Sequence, residues 1–113
     1  MIDKRAWGQC GPTIVVPADD PAPLGVQAAL EGATEKQQYR IYNSSLNVVH
    51  LGIAGSAADA QAAAVAAAAG VPDMGIPLPP GIVEILTAPA NSFFSGFAVG
   101  ASNVFITPGA GGI

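Results

Sequence analysis

The feature that most limits the fold of this chain is the length of its apolar runs, which are short and bounded by turn-forming residues. Thr13–Val16 lies between two prolines, Gln38–Tyr42 ends at an Asn-Ser-Ser turn, and Gly81–Thr87 follows Pro-Pro-Gly. The runs are rich in β-branched and aromatic residues, and several recur at intervals of roughly 8–12 residues. This pattern predicts an all-β domain, a small β-sandwich or jelly roll of about 6–8 short antiparallel strands.

The remaining predicted strands complete the domain. They are Leu24–Leu30, which is the weakest, Asn47–Ile53, Ser92–Val99 and Asn103–Pro108. Gly100–Ser102 is short enough to join the last two as a hairpin. No alternation of strands and helices occurs, so a parallel sheet is not expected. We expect an N-terminal arm over residues 1–12, the β domain over 13–108, and a flexible glycine-rich tail over 109–113.

One segment, residues 56–70, departs from the strand pattern and favours a helix. Ser56 can cap it, Asp59 falls in its first turn and Gly70 is a stop signal. The segment is shorter than the roughly 20 apolar residues of a membrane span. Two interpretations stay open: a short helix or loop inserted between two strands, or a helix whose small side chains pack against a neighbouring copy. The proline-rich residues 71–81 that follow are either a stiff connector or a ligand for an aromatic-lined groove.

The chain carries very little charge. Charged residues make up 11% of it, against about 25% in an ordinary soluble domain. No lysine or arginine follows Arg40. Interface cores are depleted in charge, so a chain with so few charges is expected to be covered by partners. The net charge of -4 argues against nucleic acid and anionic membranes as partners, since both select basic residues.

No residue pattern predicts catalysis or metal binding. Cys10 would need a base to activate it, and His50, the only histidine, lies in a predicted strand among valines. One cysteine and one histidine do not make a structural zinc site, and Asp19-Asp20 is typical of a solvated turn. Residues 1–12 carry charges followed by no apolar run, so no signal peptide is expected. We predict a protein that is not an enzyme, with no catalytic, cofactor or metal site.

Aromatic side chains are the candidates for an interaction surface. Phe93 and Phe94 are adjacent, so a strand directs them to opposite faces, and one of them should face outward. Phe105 is expected to face outward as well, opposite its two neighbours. Trp7 could anchor the arm to a neighbouring copy, because tryptophan favours the desolvated centre of an interface. Glu84 lies on a strand with apolar residues on both faces, which indicates that one face meets a partner.

Three stretches in order, "RIYNSSLNVVHLGI", "GIPLPPGIVEILTAP" and "SFFSGFAVGASNVFITPGAG", resemble a family of small virion proteins of tailed bacteriophages. The family pattern is an Arg-(Val/Ile)-x-Asn strand, a strand ending in Leu-Gly or Phe-Gly, Pro-x-Pro-x-Gly-x-x-Glu, and Tyr/Phe-(Val/Ile)-Thr-Pro-Gly-x-Gly. The matching positions are Arg40, Ile41 and Asn43; Leu51 and Gly52; Pro77, Pro79, Pro80, Gly81 and Glu84; and Phe105, Ile106, Thr107, Pro108, Gly109 and Gly111. The likeness covers about residues 38–111, and the alanine-rich segment departs from it as an insertion.

The resemblance implies a capsid decoration or cement protein with a β-sandwich or jelly-roll fold. Such a protein is made in the host bacterial cytoplasm and sits on the outer capsid surface of the virion. Its implied partners are the major capsid protein and other copies of itself, as a homo-dimer or homo-trimer. The first rival is a receptor- or carbohydrate-binding module of a head or tail fibre, with Tyr39, Tyr42 and Asn43 as its platform. The second is a small hydrolase that uses Cys10 and His50.

Overall fold

The structure, a computed structural model, describes residues 8–9, 11–28, 36–65 and 75–110. In that part the chain is mostly strand with one short helix, which confirms the predicted all-β class. The strands are β1 (Gly8–Gln9), β2 (Ile14–Asp19), β3 (Val26–Gln27), β4 (Lys36–Asn43), β5 (Val49–Ala54), β6 (Ile76–Leu78), β7 (Val83–Pro89), β8 (Phe93–Phe97) and β9 (Ser102–Ala110), and the helix is α1 (Ala57–Ala63). Pairing extends past the expected domain limits, because β1 in the arm pairs with Gly109 and Ala110 in the expected tail.

The described strands all belong to one sheet. Its order is β6-β5-β8-β2-β9-β4-β7, with β1 beside β9 and β3 beside β8. Neighbours run antiparallel except β2 and β8, which are parallel at Ala18 and Asp19, so the sheet is mixed. The hairpin expected at Gly100–Ser102 is wrong. β2 lies between β8 and β9 and pairs with both, and its longer antiparallel ladder with β9 runs from Ile14 to Ala18.

The sheet curls strongly, so that its inner face encloses the core. Tyr39 in β4 and Phe94 in β8 are three strands apart in the sheet order, which is about 14 Å in a flat sheet. Their ring centroids are nevertheless 5.0 Å apart in an edge-to-face contact. This pair therefore spans the inside of the curl. The other large buried side chains around it are Val16, Ile41, Val49, Leu51, Leu78, Val104 and Ile106.

A tight link joins the two outermost strands of the sheet order, β6 and β7. It consists of residues 79–82, which span at most about 14 Å, so the two edges stay close at this end. Asn43, fully buried at the end of β4, donates from Nδ2 to the carbonyl oxygens of Leu78 (2.9 Å) and Pro79 (3.2 Å). The N–H of Gly81, whose φ of +75° favours glycine, donates to the Asn43 carbonyl at 2.8 Å. In its described part the proline-rich stretch is therefore a connector that is fastened to β4.

Helix α1 follows β5 and packs on the same chain, which agrees with the simpler interpretation of the alanine-rich insertion. The Ser56 hydroxyl accepts a hydrogen bond from the backbone N–H three residues on, at 3.2 Å, which confirms the predicted cap. A Cβ added to Gly52 would lie 2.4 Å from the carbonyl oxygen of Ala60, so the helix backbone rests directly on β5. The helix ends at Ala63, and Gly70, the expected stop, lies outside the described residues.

Candidate interaction surface

Four exposed apolar side chains form a row across the outer face of the sheet. The strand registers place Val15 opposite Phe105, Phe105 opposite Tyr42, and Tyr42 opposite Val83. Directly paired residues point to the same face, so the row crosses β2, β9, β4 and β7 without interruption. The exposed fractions are 48% for Val15, 38% for Phe105, 37% for Tyr42 and 45% for Val83. We call these four residues the outer row.

The outer row arises from strand alternation at each of its positions. Val104 and Ile106 on either side of Phe105 are fully buried, and so is Ile41 beside Tyr42. The polar face that usually opposes a buried face is replaced here by apolar side chains. The Tyr42 and Phe105 rings are tilted, with their centroids 6.2 Å apart, so the middle of the row is a small aromatic surface.

Charge is sparse around the outer row. Arg40 lies two residues before Tyr42 and is paired with Ile85, which is 36% exposed, and with Thr107. Glu84 is paired with the buried Ile41, so it lies on the face of β7 opposite the outer row, and it is exposed on this last strand of the sheet order. No carboxylate therefore interrupts the row, and a single guanidinium borders it among the described side chains.

The predicted interface residues have different positions in the structure. Phe105 is part of the outer row. The proposed interface role of Phe94 is wrong, because its ring is fully buried in the core against Tyr39. Phe93 is half-buried on the opposite face of β8, as the alternation predicted. Trp7 lies outside the described residues.

Three members of the outer row, Val15, Tyr42 and Val83, were not predicted as interface residues. Alternation could have assigned each of them to an outward face. Their contiguity depends on the pairing of β2 with β9 and of β9 with β4, between residues far apart in the chain. No local signal in the sequence specifies those pairings.

The platform suggested for a carbohydrate-binding module is not formed. Tyr39 is fully buried, and its hydroxyl donates to the Pro89 carbonyl at 2.8 Å. Asn43 is fully buried too, and its amide is engaged by backbone carbonyls. Of the three residues only Tyr42 is exposed to a ligand.

The residues considered for catalysis and metal binding do not form a site in the described part of the chain. His50 is half-buried, and its ring centroid is 6.1 Å from that of Phe97. Its Nδ1 atom is buried and has no hydrogen-bond partner among the residues that the structure describes. Cys10 lies outside the described residues, so its distance from His50 is not defined. Asp19 and Asp20 are both exposed, as expected for a solvated turn. The described residues contain no cluster of three histidine, cysteine or acidic side chains that could hold a metal ion.

Within residues 8–9, 11–28, 36–65 and 75–110 no helix is long and apolar enough to cross a membrane. Comparison with known proteins gives no match to a family model, to a curated protein or to a solved structure.

Proposed function

We propose that this chain is a non-enzymatic structural protein of a tailed-phage virion, which binds the outer surface of the head as a decoration or cement protein. The observation that carries the proposal is the outer row, an aromatic and aliphatic surface on a regular sheet with one bordering cation. The resemblance over residues 38–111 is the reason for proposing a phage head as the assembly that this surface contacts. The partners are the major capsid protein and further copies of the chain.

The outer row suits a contact made through surface burial. Its four side chains keep between 37% and 48% of their area exposed, so a partner can remove apolar surface from water without unfolding the domain. The middle of the row is aromatic, and aromatic residues are enriched at interface cores while charges are depleted there. A cement protein that is linked to its neighbours in many copies gains avidity, so each single contact can be weak.

The rigid support of the row favours the same function. β9 and β4 lie inside the sheet with a strand on each side, so Phe105 and Tyr42 are held on a backbone that is fully paired. Beneath them, the core side chains Ile41, Val104 and Ile106 are fully buried. A preorganised surface loses little entropy on binding, which suits a protein that ties subunits together.

The test is co-sedimentation of the purified full chain with DNA-free head shells assembled from the major capsid protein of its own phage. We expect the wild-type chain to pellet with the shells and the double variant Tyr42→Ser with Phe105→Ser to lose most of this binding. The matched control is Leu46→Ser with Val99→Ser, which removes two apolar side chains that are 94% and 89% exposed in connections between strands. The control should bind as the wild type does.

Two results would contradict the proposal. Failure of the wild-type chain to bind shells would refute the decoration role. Equal binding by both double variants would refute the outer row as the contact, provided that urea unfolding shows both variants to be folded.

A further inference from the structure

The edge of the sheet at β7 has a pattern of backbone groups that fits a second copy of itself. β7 pairs along its whole length with β4 and is the last strand in the sheet order. The Asn43 N–H donates to the Ile82 carbonyl at 3.1 Å. Asn43 follows Tyr42 and Ile82 precedes Val83, so these two residues are next to the Tyr42–Val83 pair in the antiparallel ladder. In an antiparallel ladder hydrogen-bonded and non-hydrogen-bonded pairs alternate. The backbone groups of Val83, Ile85 and Thr87 therefore point away from β4.

These outward groups have no strand partner among the described residues, where β7 pairs only with β4. The side chains of Val83, Ile85 and Thr87 are exposed as well. Proteins usually protect such an edge with lysine, an interior proline, a bulge or an inward-pointing charge. Of these β7 has only the last, Glu84, since its register is continuous from Val83 to Pro89 and its proline is the last residue, Pro89.

We propose that two copies of this chain pair through β7 in antiparallel orientation, with the two-fold axis at Ile85. This pairing deepens the proposed function by specifying how copies meet. In this register Ile85 faces its own symmetry mate, and Val83 of each copy faces Thr87 of the other. All of the outward backbone groups of these three residues then form hydrogen bonds, as an isologous two-fold contact requires. Pro89, which has no N–H, ends the ladder.

The charges agree with self-pairing at this register. Glu84 lies on the other face of β7 and would face Leu86 of the second copy, so no carboxylate meets a carboxylate. Arg40 is one strand away from Ile85, so the two Arg40 side chains would be three strand spacings apart. That distance is about 14 Å, beyond the Debye length of about 8 Å at physiological salt. Self-pairing also joins two outer rows into one continuous face across eight strands.

Cysteine cross-linking tests both the contact and its register, in the full chain with Cys10→Ser as background. Ile85→Cys should form a disulfide-linked dimer under mild oxidation, because the paired Cα atoms would lie about 5.5 Å apart. Val83→Cys alone and Thr87→Cys alone should not, since each is about 13 Å from its own mate along the strands. A mixture of these two variants should give the cross-linked heterodimer.

Light scattering over a concentration series gives the second readout. We expect a mass of twice 11.2 kDa for the wild type. Ile85→Pro removes an outward N–H that the second copy would bond and should raise the dimer dissociation constant at least tenfold. Because proline also fixes φ, circular dichroism must show that this variant remains folded. Val99→Ser, a change at an 89% exposed apolar side chain in a connection between strands, should leave the constant unchanged. The amides of Val83, Ile85 and Thr87 should exchange with solvent more slowly as the dimer forms.

The possible outcomes are distinct. A monomeric mass throughout, or a dimer that cross-links equally at all three positions, overturns the pairing. If the β7 amides exchange slowly only when head shells are present, the pairing of two copies is also overturned, and the edge is assigned to a strand of the capsid protein. A monomer that still co-sediments with shells refutes the pairing alone, whereas a cross-linked dimer that does not bind shells refutes the proposed function alone.

Discussion

The amide of Asn43 is expected to be one of the most sensitive groups in the fold, and Asn43→Asp tests this with almost no change of shape. Nδ2 lies 2.9 Å from the carbonyl oxygens of both Asn47 and Leu78 and 3.2 Å from that of Pro79. The substitution replaces this donor with a carboxylate oxygen that faces three carbonyl oxygens at a fully buried position. The link between β6 and β7 loses its attachment to β4.

The magnitude follows from the contacts. An amide has two hydrogens, so about two net hydrogen bonds are lost at about 1 kcal/mol each, and a buried carbonyl left without a donor costs about 1–3 kcal/mol more. The expected loss is therefore about 3–5 kcal/mol, out of the 5–15 kcal/mol that holds a domain of this kind together. With a urea slope of about 2 kcal/mol per molar, the unfolding midpoint should fall by roughly 1.5–2.5 M.

The assay is urea unfolding followed by circular dichroism, with Asn103→Asp as the control. Asn103 is exposed near the start of β9, and its substitution changes the net charge by the same amount without removing an amide contact seen in the fold. We expect the control to stay within about 0.5 kcal/mol of the wild type, as most surface substitutions do. If Asn43→Asp were no more destabilising than the control, the role assigned to the Asn43 amide would be refuted.

Two further predictions concern the core and the helix contact. Gly52→Ala should destabilise the domain by about 1–3 kcal/mol, because the added Cβ would meet the α1 backbone at 2.4 Å. The control Gly55→Ala should be tolerated, since its Cβ would have nothing within 4 Å. Thermal unfolding of the two variants tests this, and equal unfolding midpoints would contradict the contact. Phe94→Ala should lower the free energy of unfolding by about 3–5 kcal/mol, because Phe94 is a fully buried aromatic residue. Phe105→Ala should lower it by less than about 1 kcal/mol. If urea unfolding gave the reverse order, the inner and outer faces of the sheet would have been misassigned.

Local features of this fold could be predicted from the sequence, and long-range ones could not. The cap at Ser56, the solvent exposure of Asp19 and Asp20 and the opposite faces of Phe93 and Phe94 follow from rules that span a few residues, although Asp19 is the last residue of β2 and not part of a turn. The placement of β2 between β8 and β9 does not follow from such rules. The short connection at Gly100–Ser102 is compatible with β8 and β9 paired as a hairpin and also with β8 and β9 separated by one strand.

The candidate surface shows the same division. Phe105 could be placed on an outward face by alternation alone, since both of its neighbours are buried. The row through Val15, Tyr42 and Val83 required the sheet order, which brings together residues about ninety positions apart. The sequence places Asn43 in a motif, in a turn and in the platform of a rival carbohydrate-binding module, but not in the core, because a sequence does not show which carbonyl groups a buried amide will reach.

The central position of β9 has a consequence for how this protein is made. β9 is the last strand of the sheet to leave the ribosome, yet it hydrogen-bonds to β1, β2 and β4. β9 lies between β2 and β4 in the sheet. Until β9 is synthesised, the part of the sheet that contains β2 therefore cannot be joined to the part that contains β4. Folding is therefore expected to wait until β9 has been synthesised, and contacts this far apart in sequence form slowly. Nascent copies would spend that interval with apolar strands uncovered, which makes them prone to aggregation until β9 is in place.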